Sequence, residues 1–118
     1  MAFHPYLYFG GNCREAFTRY QQIFGGDLIV MDGTEAPPGS GVPTDKTDLV
    51  MHAALTNGDD LLMASDSYDD TFTPPTTMFV HYSTTDIERA RAVFAGLSED
   101  GNVHMPGEAT FWTPFFGV

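Results

Sequence analysis

Residues 5–17 read Pro5-Tyr6-Leu7-Tyr8-Phe9-Gly10-Gly11-Asn12-Cys13-Arg14-Glu15-Ala16-Phe17, and this stretch decides the fold. Its opening, Phe3 to Phe9, has the aromatic-rich composition of a strand. Asn12 followed by Glu15 has the spacing of a capping box, in which each side chain satisfies an amide that a helix start leaves orphaned. A helix is therefore expected directly after the glycines. Ala16, Phe17, Tyr20 and Phe24 then recur at helical spacing, and Gly25-Gly26 supply a left-handed stop.

The same pattern returns 74 positions later. Tyr8 falls on Tyr82, Asn12 on Asp86, Ala16 on Ala90, Tyr20 on Phe94, Ile23 on Leu97, Ile29 on Val103 and Met31 on Met105. Seven similar pairs at one ungapped offset mark an internal duplication. In the second copy Thr77 to Tyr82 reads as a strand. Thr85 with Glu88 reads as the capping pair, Ile87, Ala90, Phe94 and Leu97 as the helix face, and Gly101 as the stop. A further strand follows each helix, near Asp27–Met31 and Asn102–Met105. The first half continues as a hairpin, Asp48–Thr56 and Asp60–Ala64, turning at Asn57-Gly58, a strong short-range hairpin signal. After Met105 the second half offers one clear stretch, Ala109–Trp112, before Phe115-Phe116-Gly117-Val118. By the plan of the first half a final strand is missing, so either a longer natural chain or a neighbouring subunit is expected to complete the sheet. Asp32–Thr47 and Ser67–Thr76 read as loops, the first long enough to suggest a functional flap. The expectation is one α+β domain of two halves, each planned as strand, helix, strand, strand, strand. Module one spans 3–66, a linker 67–76, and an incomplete module two 77–118.

Composition limits the partners. Sixteen acidic residues against five basic ones give a net charge of −11. Arg14, Arg19, Lys46, Arg89 and Arg91 form no stripe, so nucleic acid and anionic membrane are poor partners. No run approaches the ~20 apolar residues of a membrane-spanning helix. The N-terminus lacks the pattern of a secretory signal. A single cysteine, Cys13, excludes an internal disulfide framework and points to the cytoplasm. Cys13 would sit in the first turn of a helix, where amide dipoles favour thiolate. With no histidine marked beside it, a structural role is the favoured reading.

The duplication and its motifs resemble the vicinal oxygen chelate superfamily of glyoxalases, bleomycin-resistance proteins and ring-cleaving dioxygenases, and within it the PhnB-like branch. The carrying stretches are Pro5-Tyr6-Leu7-Tyr8-Phe9 with Gly11-Asn12-Cys13-Arg14-Glu15-Ala16, Tyr20, and Phe24-Gly25-Gly26. Further on they are Met51-His52-Ala53, Leu62-Met63-Ala64-Ser65-Asp66, and Thr110-Phe111-Trp112 with Phe116-Gly117. The resemblance implies paired βαβββ modules forming an incomplete curled sheet or barrel, a homodimer, a cup for a small molecule, and roughly one more strand after Val118. Some members of the branch carry the label of a demethylubiquinone methyltransferase. This chain gives that label no support, because it lacks a glycine-rich strand-to-helix turn of the kind that cradles a nucleotide-like cofactor.

Enzymes of that superfamily hold a divalent metal on the first and last strands of each half, where it acts as a Lewis acid. By the superfamily's spacing, the first-strand ligand positions fall on Pro5 and Phe79, neither of which can bind an ion. The last strand of the first half offers Asp66. The histidines are His4, His52, His81 and His104, and no pair of them has the spacing of a dedicated site. The expected function is therefore metal-free binding of a small aromatic or hydrophobic molecule, with Leu7, Phe9, Phe79, His81, Phe111 and Trp112 facing the cup. The alternative is a lyase, isomerase or dioxygenase using Zn, Ni, Mn or Fe on His52, His81 and Asp66. A third is an interaction protein with a vestigial cup. Glu108 and Asp66 could act as acid or base, but carboxylates are plentiful here and neither stands out.

Overall fold

Hydroxyl-bearing and purely apolar side chains alternate along Tyr6-Leu7-Tyr8-Phe9, and so does exposure: the two tyrosines face outward while Leu7 and Phe9 are half-buried. This is β1 (Tyr6–Phe9). The computed structural model describes residues 1–118 and divides them into two compact units, Met1–Phe79 and Val80–Val118.

In the first unit β1 is followed by α1 (Cys13–Phe24), β2 (Asp27–Asp32), a single 3-10 turn over Gly33–Glu35, β3 (Val50–Asn57) and β4 (Asp60–Asp66). The sheet is open, with strand order β1-β4-β3-β2; β1 runs parallel to β4 and the other pairs are antiparallel. The βαβββ plan of the first half is present in full.

Register separates the two faces of the sheet. One row across all four strands is Leu7, Ala64, Ala53 and Val30, and another is Leu62, Leu55 and Leu28. These residues meet Cys13, Phe17 and Tyr20 of α1 in the core. Alanines at 53 and 64 leave room for the Phe17 ring, which is wholly buried; burying such a ring contributes about 2–3 kcal/mol.

The helix ends differ from the capping boxes read in the sequence. Asn12 makes no side-chain cap bond. The amide of Cys13 instead donates to Asp66 at the end of β4, a cap that comes from 53 residues away. At the other end Gly25 and Gly26 take φ of 76° and 90°, as expected. A Cβ on Gly26 would run into the carbonyl oxygen of Thr56. Asn57 stays paired with Asp60, so the hairpin turns at Gly58-Asp59, one residue later than read. The Asn57 amide group is free to donate to the carbonyl of Phe24 at 2.9 Å.

The second unit holds α2 (Ile87–Ser98). Its cap is Asp86, not Thr85, and accepts from the Arg89 amide at 3.1 Å. The left-handed residue after it is Asp100, with φ 58°, and not Gly101. Thr77–Tyr82, Asn102–Met105 and Ala109–Trp112, all read as strands, form no strand. Met105 and Val118 exchange backbone hydrogen bonds, as do Glu108 and Phe116, so the C-terminal stretch folds back on itself as a short irregular ladder. The physical reason lies in the pairing of the first unit. There β1 depends on β4 and β2 on β3, whereas in the second unit the backbone pairing is confined to the short ladder that joins Met105 and Glu108 to Val118 and Phe116. Without a full neighbouring strand the second copies of β1 and β2 have no ladder to join. Phe94 instead packs edge-on against Phe115 at 5.9 Å, with Arg91 over the Phe115 ring at 5.1 Å.

Candidate functional site

The face of the sheet opposite α1 carries the row Tyr6, Met63, Ala54 and Ile29, and beside it the pairs Tyr8 with Ser65 and His52 with Met31. No helix of the first unit covers it: Tyr6, Tyr8 and Ile29 remain 49%, 52% and 61% exposed. The Tyr6 hydroxyl lies 3.2 Å from Nδ1 of His52, with their rings at 5.8 Å. An apolar, aromatic surface tipped with hydroxyls and one imidazole suits a small organic molecule.

At one end this face deepens into a cleft of about 310 Å³, lined by Tyr8, Ser40, Val42, Met51, Ser65, Asp66 and Tyr68. The register between β2 and β3 slips at Met31 and Asp32, where Met51 becomes the extra residue and turns into the cleft. Bulges often re-aim a side chain in this way. The long loop after β2 supplies Ser40 and Val42 to the wall of the cleft. Lys46 fixes that loop by donating to the backbone carbonyl of Tyr68 at 2.6 Å and to the Asp70 carboxylate at 3.2 Å. Phe72 packs edge-on against Tyr8 at 5.9 Å. Its ring lies so near Gly10 that any side chain there would displace it. The Tyr68 hydroxyl is buried and has no hydrogen-bond partner. Burial raises its pKa, and the Asp66 carboxylate and Tyr8 add to the effect.

Asp66 is 5% exposed. Its Oδ1 accepts from the amides of Gly11 and Cys13, both at 3.0 Å, and its Oδ2 from the Val50 amide at 2.9 Å. Those bonds tie the ends of β1 and β4, the start of α1 and the start of β3 to one carboxylate. A carboxylate engaged by three amides is ill-suited as an ion ligand. His52 meets Tyr6 through Nδ1, and His81 is an exposed residue of the second unit. The structure holds no group of three or more His, Cys, Asp or Glu side chains arranged for a metal ion. The donor set proposed for the metal alternative does not fit one. Cys13 is fully buried and its thiol is pushed up to about 12, first by burial and then by Asp66, against a smaller opposing pull from Arg14. That suits a packing residue and not a nucleophile.

Of the residues read as cup-facing, Leu7 and Phe9 pack into the core on the α1 side. Phe79 is 73% exposed at the end of the first unit. In the second unit His81 is exposed, and Phe111 and Trp112 meet edge-to-face at 4.8 Å, Trp112 also touching Phe116 at 5.5 Å. The open face belongs to Tyr6 and Tyr8, one position away from Leu7 and Phe9; a single step along a strand exchanges its faces. The hydroxyls were the available signal, since a phenol tip favours the wetter side. Tyr68 lay in a stretch read as linker and gave no such signal.

No helix is long and apolar enough to cross a membrane. No family model matches the chain. It is 37% identical to protein PA1353 from Pseudomonas aeruginosa, whose crystal structure superposes with a TM-score of 0.80, covering 99% of this chain and 86% of that one. A PhnB protein from Bacillus cereus, described as a candidate 3-demethylubiquinone-9 3-methyltransferase, is 27% identical with a TM-score of 0.78, over 99% of this chain and 88% of its own. Protein YjdN of Escherichia coli strain K12 is 27% identical over 128 residues, 99% of this chain and 86% of YjdN. The likeness thus runs through both halves of the duplication and is carried at fold and sequence level together: this chain belongs to the PhnB/YjdN-like family.

Proposed function

We propose that this PhnB/YjdN-like chain is a small-molecule-binding domain of the vicinal oxygen chelate type, taking an aromatic or hydrophobic molecule without a metal and working as a homodimer. The observation that carries the reading is the open face of the four-stranded sheet, where Tyr6, Tyr8, Ile29 and Met31 stay exposed beside a cleft roofed by a tethered loop. Exposed apolar surface of that kind, gathered on one side and rimmed by polar groups, is characteristic of a binding surface. Phe111 and Trp112, 98% and 57% exposed, are a second apolar patch and support a subunit contact. The metal-free element rests on Asp66, whose oxygens already serve three amides.

Protein purified without chelator and examined by native mass spectrometry and elemental analysis tests all three parts. The expected result is a dimer that retains an organic ligand and contains no stoichiometric Zn, Ni, Mn or Fe. Stoichiometric metal would overturn the metal-free element, and failure to bind any hydrophobic probe would overturn the binding function.

A further inference from the structure

We infer that Lys46 is a positioning residue that governs how fast a small molecule enters and leaves the cleft, by clasping the turn at residues 68–71 to the loop after β2. The inference rests on the small-molecule reading above and adds its control. Two walls of the cleft come from separate segments: Ser40 and Val42 from the loop, Tyr68 from the turn. The loop is rooted, because Val42 and Thr47 lie close over the backbone of the buried Gly33. The turn is held at its two ends, where the Ser67 amide donates to the Phe9 carbonyl at 2.7 Å and the Phe72 ring meets Tyr8. Between those ends its own bonds are local, from Thr71 to the Asp69 carboxylate and from the Phe72 amide to the Asp69 carbonyl.

Lys46 makes the hydrogen-bonded link from the rooted loop to that turn. Its ammonium donates to the Tyr68 carbonyl at 2.6 Å and to the Asp70 carboxylate at 3.2 Å. The two bonds are unequal. The Asp70 side chain is 94% exposed, so water and salt screen that ion pair and it adds little. The bond to the carbonyl is short, charge-assisted and part-buried, and a bond of that kind is roughly twice as strong as a neutral one. It also holds backbone, and so fixes the path of the turn itself. Without it the turn keeps only its two ends, and the wall that Tyr68 forms can swing outward. Lys46 is the only lysine in the chain, so no neighbouring ammonium can take its place.

The test follows exchange of 4-fluorophenol by fluorine NMR in the full chain, for wild type, Lys46→Met, Lys46→Arg and Asp70→Asn. Lys46→Met should speed binding and release together, each about tenfold, and leave Kd within about threefold, because the clasp is made without a ligand. Lys46→Arg still donates to the carbonyl and should keep both rates within about twofold of wild type, as should Asp70→Asn. A second arm uses the lone lysine. Acetic anhydride should acetylate Lys46 at least about tenfold more slowly in the folded protein than in urea, and the acetylated protein should exchange the probe as fast as Lys46→Met does. This arm decides where Lys46→Met does not fold. Faster release with unchanged binding would overturn the inference, since it marks a lost contact and not a gate. So would equal effects of Lys46→Met and Asp70→Asn, or acetylation at one rate in folded and unfolded protein. Wild-type exchange rates in every variant sink this inference alone, whereas absence of 4-fluorophenol binding throughout sinks the small-molecule reading with it.

Discussion

Replacing Asp66 probes the one side chain on which both the fold and the site depend. Its carboxylate accepts from Gly11, Cys13 and Val50 amides at 3.0, 3.0 and 2.9 Å. Asp66→Ala strands all three donors. Water can reach the exposed Gly11, whose bond is only part-buried, but the bonds from Cys13 and Val50 are buried. Each buried orphan costs about 1–3 kcal/mol, so the expected loss is about 4 kcal/mol. That is a large share of the roughly 5–15 kcal/mol that holds a domain together. Asp66→Asn keeps one carbonyl oxygen for two of the amides but turns an NH2 group toward the third, and should lose about half as much. Urea unfolding followed by far-UV circular dichroism measures both. If Asp66→Ala lies within about 1 kcal/mol of wild type, or if the two variants cannot be told apart, the carboxylate is not the clamp described here. A metal role predicts the reverse pattern: little change in the free protein, and stabilisation by Zn or Mn that the variant lacks. No such stabilisation is expected.

Three further outcomes follow from the same geometry. Leu7→Ala should destabilise by about 2 kcal/mol, since Leu7 packs on the core, yet leave hydrophobic-probe binding intact; Tyr8→Ala, on the opposite face, should abolish binding at a stability cost below about 1 kcal/mol. Equal effects of the two on binding would contradict the assignment of faces. For Cys13 the folded thiol is raised from 9.0 to about 12, so its contribution to stability is complete below pH 9 and fades as the pH climbs toward 12. Tyr20, also raised by burial and by Cys13, acts in the same direction. Cys13→Ala should therefore flatten the alkaline limb of a stability-against-pH curve, and the native thiol should not react with a disulfide reagent at pH 8 until the protein unfolds. Gly26→Ala must hold a left-handed φ of 90° and push the Thr56 carbonyl aside, and should lose at least about 2 kcal/mol in a urea titration.

The first module was legible because its signals are local. The strand, helix, Gly25-Gly26 stop and hairpin fall within three residues of where composition and spacing put them. What could not be read depends on residues distant in the chain. The cap of α1 comes from Asp66, and only the parallel pairing of β1 with β4 brings that carboxylate to the helix start. The face of β1 is ambiguous in the sequence because Tyr6, Leu7, Tyr8 and Phe9 are all apolar or aromatic, so hydrophobic alternation is weak and does not say which set packs on α1. The strands of the second copy failed for the opposite reason. Their composition is right, but a strand is stable only beside another, and the local sequence does not reveal whether that neighbour is supplied.

The metal reading and the fold make competing demands on the same atoms. Asp66 stands where the resemblance puts a ligand, at the end of the last strand of the first half, and it does meet the cleft. A ligand there needs an oxygen free to turn toward an ion, whereas this carboxylate is buried and held on both oxygens. Freeing it would release the start of α1 and the entry to β3 together, since both rest on it. The floor of the cleft is therefore rigid because it is structural, while the roof, carried by residues such as Ser40 and Val42 and pinned through Lys46, is free to vary without disturbing the core. Rigid floors lower the ordering cost of binding, and loops over them set what is bound. A site built this way is suited to recognising a small molecule chiefly by shape.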